Sequence, residues 1–175
     1  MIRSTRVIRL LATALFLASG LTSCSAIDSP TAPPAAANSA ELRLPLLSGL
    51  LACEPQPYAR QVQVVGPTGG TIRVGGHTLV IPAGALSTSV TITAEAPSDV
   101  VASVRFQPEG LRFQRPATLT LDYSSCPLGR LQILKRVAYT TDRLDILSFL
   151  LSRDDLLRMR VSADLEHFSR YAVAW

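Results

Sequence analysis

From Tyr58 onward, apolar residues recur at every second position in short runs broken by glycine and proline. A period of two sends successive side chains to opposite faces of an extended chain, so these runs read as β-strands with one face toward a core. Residues 61–65 (QVQVV), 71–74, 77–81, 89–96 (SVTITAEA), 100–106, 111–113 and 118–123 form the first series. Residues 132–140, 144–151, 156–163 and 169–175 form the second, after Cys126. Gly66-Pro67-Thr68-Gly69-Gly70 punctuates as a turn, and Gly75-Gly76 has the length and composition of a two-residue hairpin. A strand about every ten residues predicts an all-β fold, an antiparallel β-sandwich. Residues 144–159 (LDILSFLLSRDDLLRM) also carry leucines at helical spacing, but strands are expected there because the surrounding period is two.

The segment before Tyr58 has a different character. Arg3, Arg6 and Arg9 precede an apolar run over residues 10–21 (LLATALFLASGL), the layout of a secretory signal. Those twelve residues are too few for a membrane-spanning helix, which needs about twenty. Leu21-Thr22-Ser23-Cys24 resembles the lipobox of bacterial lipoproteins. That resemblance implies cleavage before Cys24, a diacylglycerol thioether on its sulfur and a lipid bilayer as partner. Two or more acyl chains hold a protein on a membrane stably where one does not. The implied address is the cell envelope, and Ser25 in place of Asp implies the outer membrane where one exists. Residues 25–40 (SAIDSPTAPPAAANSA), rich in proline and small residues, read as a tether. Residues 41–52 (ELRLPLLSGLLA) read as a short apolar segment packed on the domain. The expected division is therefore 1–23 signal peptide, 24–57 lipidated N-terminus with tether and apolar segment, and 58–175 β-sandwich.

The formal charge of +4 dissolves once the signal is set aside, which leaves fourteen basic against thirteen acidic residues. With no basic run there is no electrostatic footprint for nucleic acid. A hydrophobic fraction of 47% excludes a disordered chain. Of three cysteines, lipidation takes Cys24 and leaves Cys53 and Cys126, which in an oxidising compartment are expected to pair. Neither these cysteines nor the isolated His77 and His167 show metal-ligand spacing, so no metal and no cofactor are expected.

The central motifs are Gly69-Gly70-Thr71, Leu79-Val80-Ile81-Pro82-Ala83-Gly84-Ala85-Leu86, Phe106-Gln107-Pro108-Glu109-Gly110-Leu111-Arg112-Phe113 and Arg115-Pro116-Ala117-Thr118-Leu119-Thr120-Leu121. In this order they resemble the ZU5 domain, a β-sandwich module of ankyrins, netrin receptors, death-domain scaffolds and bacterial envelope proteins. The resemblance covers residues 62–175. It implies a protein-interaction or structural module without catalytic turnover, with another envelope protein as partner. It also implies an alternative, because His167-Phe168-Ser169 is similar to the triplet at which some ZU5-containing scaffolds cut themselves. There the Ser169 hydroxyl would attack the Phe168 carbonyl while His167 takes its proton, and the resulting ester would hydrolyse. Such a cut would separate only residues 169–175 of this sequence. The simpler reading makes Phe168 and Tyr171 core or edge aromatics. Among the remaining polar residues, His77 reads as half-exposed on a hairpin strand. Asp142 with Asp145, and Asp154-Asp155, read as solvated turns beside arginines. Lys135, single among sixteen arginines, reads as a product of composition.

Overall fold

The computed structural model describes residues 49–175; the expected signal peptide, Cys24 and the proline-rich segment lie outside the described residues. Two antiparallel sheets pack face to face as a β-sandwich. The six-stranded sheet runs β1 (Ala59–Val65), β4 (Val90–Ala96), β5 (Ser103–Gln107), β11 (Arg170–Ala174), β7 (Arg136–Thr140), β8 (Ile146–Phe149). The five-stranded sheet runs β2 (Gly70–Val74), β3 (His77–Ile81), β6 (Arg112–Asp122), β10 (Arg160–His167), β9 (Ser152–Asp155). A 3-10 turn, Pro127–Arg130, lies between β6 and β7.

The alternation of the sequence becomes the alternation of the core. Ile72 and Val74 of β2, Leu79 and Ile81 of β3, Leu119 and Leu121 of β6, and Val161 and Leu165 of β10 face Ile92, Val104, Phe106, Tyr171 and Val173 of the other sheet. Their neighbours on β2, β3, β6 and β10 face outward, as a half-buried antiparallel sheet requires. The exception is β11, whose five residues are all buried. Tyr171 and Val173 point between the sheets, whereas Ala172 and Ala174 join Ala138 and Leu50 in a second, smaller cluster on the opposite face. Both clusters close within residues 50–175, so the described module carries its own core.

Residues 50–54 are bound into this body. Leu51 N–H donates to Val173 O (2.9 Å), Cys53 N–H to Val100 O (2.8 Å) and Glu54 N–H to Ser125 O (3.0 Å). Cys53 and Cys126 form a disulfide. The turn before β2 depends on Gly69, whose φ of +76° suits glycine and where a Cβ would lie 2.3 Å from Ile81 O.

Several strand expectations are corrected. Residues 111–113 and 118–123 belong to one strand, β6, which runs through Pro116. Proline is tolerated there because the ladder to β10 shifts between Ala117 and Arg112, and the pairing with β3 begins only at Thr118. Residues 132–135 form a loop, and the strand starts at Arg136. Residues 156–159 are a turn in which Met159 adopts φ +53°, and the strand expected from residue 156 starts at Arg160. The polar β9 has no counterpart in the expected series. Residues 144–159 contain no helix: β8 and β9 occupy them. His77 is buried, not half-exposed, and Asp154 and Asp155 lie on β9, not in a solvated loop.

Candidate functional site

His167 closes β10 in one sheet and Arg170 opens β11 in the other, so Phe168 and Ser169 carry the chain across the interior. Phe168 is fully buried, stacked on Phe106 with ring centroids 5.1 Å apart and edge-on to Phe113 at 5.0 Å. Three backbone bonds fix the crossing: Phe168 N–H to Leu111 O (2.8 Å), Gly110 N–H to Phe168 O (2.9 Å) and Phe106 N–H to Ser169 O (3.0 Å). The connection between β5 and β6 thus clamps the Phe168-Ser169 peptide from one side. Its Gln107–Pro108 bond is cis, and Gly110 has φ +75°.

His167 lies beside the same peptide. Its Nδ1 is 3.3 Å from Phe168 O, and Tyr171 donates its hydroxyl to His167 O (2.7 Å). Tyr139 packs edge-on against the imidazole at 5.1 Å. Burial, with the Tyr139 phenol adding to it, pushes the Tyr171 hydroxyl well above its ordinary pKa, so it remains a proton donor. Among the described residues no hydrogen bond joins His167 to the Ser169 hydroxyl. The imidazole Nδ1 instead meets the Phe168 carbonyl oxygen, with the Tyr171 hydroxyl 3.5 Å away. An Nδ1–H tautomer in this position donates to that oxygen, alongside Gly110 N–H, where charge would develop during attack on Phe168 C=O.

A second polar cluster lines a cleft of about 450 Å³ between residues 53–59, the β2–β3 hairpin and the end of β6. His77 Nδ1 accepts from Asp122 N–H (3.1 Å), which leaves the proton on Nε2. Burial lowers the His77 pKa to about 4, against the opposing pull of Asp122, so the ring is neutral at physiological pH. Burial pushes the Asp122 carboxyl up, but the Ser124 hydroxyl and N–H and the Arg160 guanidinium outweigh it and hold the carboxyl below its usual range. On the other side of the cleft the Arg170 guanidinium binds Asp99, Ser103 Oγ (3.0 Å) and Asp142 O (2.6 Å), and Arg105 pairs with Asp142 at 2.8 Å. These contacts occupy the charged groups with one another.

Lys135 is buried at the far end of the six-stranded sheet. Its Nζ donates to Leu131 O (2.8 Å) and Ile133 O (2.7 Å) and sits 5.8 Å above the Tyr123 ring. Burial lowers its pKa and Asp154 opposes the shift. Asp154 accepts both the Tyr123 hydroxyl (2.6 Å) and Lys135 N–H (2.8 Å). Burial and that carboxylate raise the Tyr123 pKa well above the ordinary phenol value. Lys135 is thus a staple for the loop before β7.

The residues singled out in sequence therefore fall in separate places. His167, Phe168 and Ser169 meet at the sheet crossing, and the Cys53–Cys126 bridge lies at the rim of the His77 cleft. Cys24 is outside the described residues. Arg170, Asp99 and Asp122 had not been singled out, because their partners are set by strand pairing across long separations. Among the described residues no three His, Cys, Asp or Glu side chains converge as a metal-ligand set. No known protein family matches the chain, and no curated protein matches it in sequence.

Proposed function

We propose that this chain is an exported cell-envelope lipoprotein, held on a bilayer through acyl chains on Cys24, whose ZU5-like β-sandwich acts by contact. In this reading the module binds or braces another envelope protein and turns over no substrate. The observation that carries it is the fastening of residues 50–54: three backbone bonds and the Cys53–Cys126 bridge join the segment that follows the tether to the body. A disulfide suits an oxidising compartment outside the cytosol. A tether covalently fixed to the fold can pass a load from a membrane anchor to the sandwich. The test is metabolic labelling with palmitate and membrane fractionation of wild type and Cys24→Ser. Label and membrane retention in wild type, both lost in the variant, support the anchor; an unlabelled wild-type chain refutes it.

A second reading, single-turnover cleavage of the Phe168–Ser169 bond, is favoured by one observation, the convergence of Gly110 N–H and His167 Nδ1 on Phe168 O. Such a pair would stabilise the oxyanion formed when Ser169 attacks. Intact-mass measurement under denaturing conditions separates the readings. A fragment lacking residues 169–175 in wild type but not in Ser169→Ala establishes cleavage, and an uncut chain leaves the contact role alone.

A further inference from the structure

The rim where β8 leads into β9 exposes more large apolar surface than a lone sandwich needs. Leu147, Phe149 and Leu151 succeed one another at every second position, and Leu151 is 96% exposed. Leu134, 69% exposed, shares a cleft of about 430 Å³ with Phe149 and Leu151. Ile133 lies in the same loop, and Leu157, 97% exposed, tips the following hairpin between β9 and β10. Scattered single leucines need no explanation, but Leu134, Phe149 and Leu151 around one cleft, Leu151 almost fully bare, do.

Arginines flank this set, with Asp164 and Glu166 of β10 on its other side. Arg136 lies over the Phe149 ring at 4.1 Å, and Arg130 and Arg153 flank the loop and the strand. Among the described residues none of the three has a carboxylate within ion-pair distance. Of the acids nearby, Asp154 is engaged by Tyr123 and Lys135, Asp155 by Arg158 and Asp164 by Thr118, while Glu166 shares a cleft with Phe149, Leu151 and Arg153 on the β10 side. Apolar tips with unpaired arginines beside them match the boundary between anionic headgroups and acyl chains.

The chain also reaches the body at this rim. A Cβ on Gly49 would lie 3.1 Å from Ile146 Cδ1 and 3.9 Å from Phe149 Cζ. Only residues 25–48 separate Gly49 from Cys24, a span of at most about 85 Å fully extended. An anchor at Cys24 would keep this face within reach of the bilayer at high effective concentration.

We infer that the β8–β9 rim, through Leu134, Phe149 and Leu151 with Arg136 and Arg153, seats the module on an anionic phospholipid surface. This rests on the lipid-anchored reading for its place in the cell, but the contact itself needs no acyl chain. The test uses the mature chain, residues 24–175, with Cys24→Ser, sedimented with vesicles of phosphatidylethanolamine and phosphatidylglycerol or of phosphatidylcholine alone. Binding to the anionic vesicles, weakened by salt, is expected. It should fall about tenfold or more in Leu134→Asn/Leu151→Asn, since two exposed leucines supply much of the insertable surface. Val64→Asn, on the exposed face of β1 at the opposite edge of the six-stranded sheet, should bind as before. Absence of binding, equal binding to both vesicle types, or binding untouched by the double substitution overturns the inference. So does self-association through the same leucines without vesicle binding, seen by sedimentation velocity. Palmitate labelling at Cys24 is read separately, so a failed anchor and a failed seat give different results.

Discussion

At the scale of single residues, burial has settled what the ionisable groups do. His77 entered the interior because β3 alternates and Asp122 offers a backbone N–H to its Nδ1. The imidazole is neutral there, with a pKa lowered from 6.5 to about 4. Between those values the unfolded chain binds the extra proton, so stability is greatest above pH 6.5 and falls as the pH drops toward 4. The full loss is about 3 kcal/mol. Urea denaturation across this window should show the decline in wild type and a flatter profile in His77→Gln, which keeps an acceptor but does not titrate. A wild-type profile parallel to the variant's would refute it. Neither the burial of His77 nor the pairing of Arg170 with Asp99 was legible in sequence. Both depend on which strands lie side by side, and separations of 45 and 71 residues carry no local signal. Phe168 and Tyr171 were legible as core or edge aromatics because they sit on a largely apolar strand and the turn that feeds it.

At the scale of elements, strands that alternate apolar and polar residues announced themselves, and those that do not stayed hidden. β9 reads Ser-Arg-Asp-Asp because its inward positions bond backbone instead of filling the core. Ser152 Oγ accepts from Val137 N–H (2.9 Å) and Asp154 from Lys135 N–H, so polar side chains supply the start of β7 with partners across the rim. β6 was hidden for another reason: Pro116 signals a break, and only the shifted ladder explains why a strand passes through it. The disulfide was legible by counting cysteines, although its neighbourhood was not. It closes a loop between residues 73 apart, and the chain-entropy account assigns such a bridge about 4 kcal/mol. Reduction, or Cys53→Ala/Cys126→Ala, should therefore lower the melting temperature on the order of 15 °C. Calorimetry showing the oxidised and reduced domains melting together would count against that role.

At the scale of the molecule, the two sheets are joined wherever consecutive strands change sides, from β1 to β2, β3 to β4, β5 to β6, β6 to β7, β8 to β9 and β10 to β11. The last of these crossings matters most, because β11 lies between β5 and β7 and is buried on both faces. A chain stopped after Ser169 should lose its cooperative urea transition and its near-ultraviolet circular dichroism. A chain merely cut between Phe168 and Ser169 should keep both, since five register pairs with β7 and three with β5 still hold β11. A truncated chain that unfolds cooperatively would show that the sheet closes without its central member.

That placement also sets a timetable. β5 and β7 are made before β11, and each has one neighbour, β4 and β8, but neither gains its second until β11 exists. In the exported reading proposed above, a polypeptide threaded through a translocation pore with its N-terminus leading completes this sheet only once β11 has emerged.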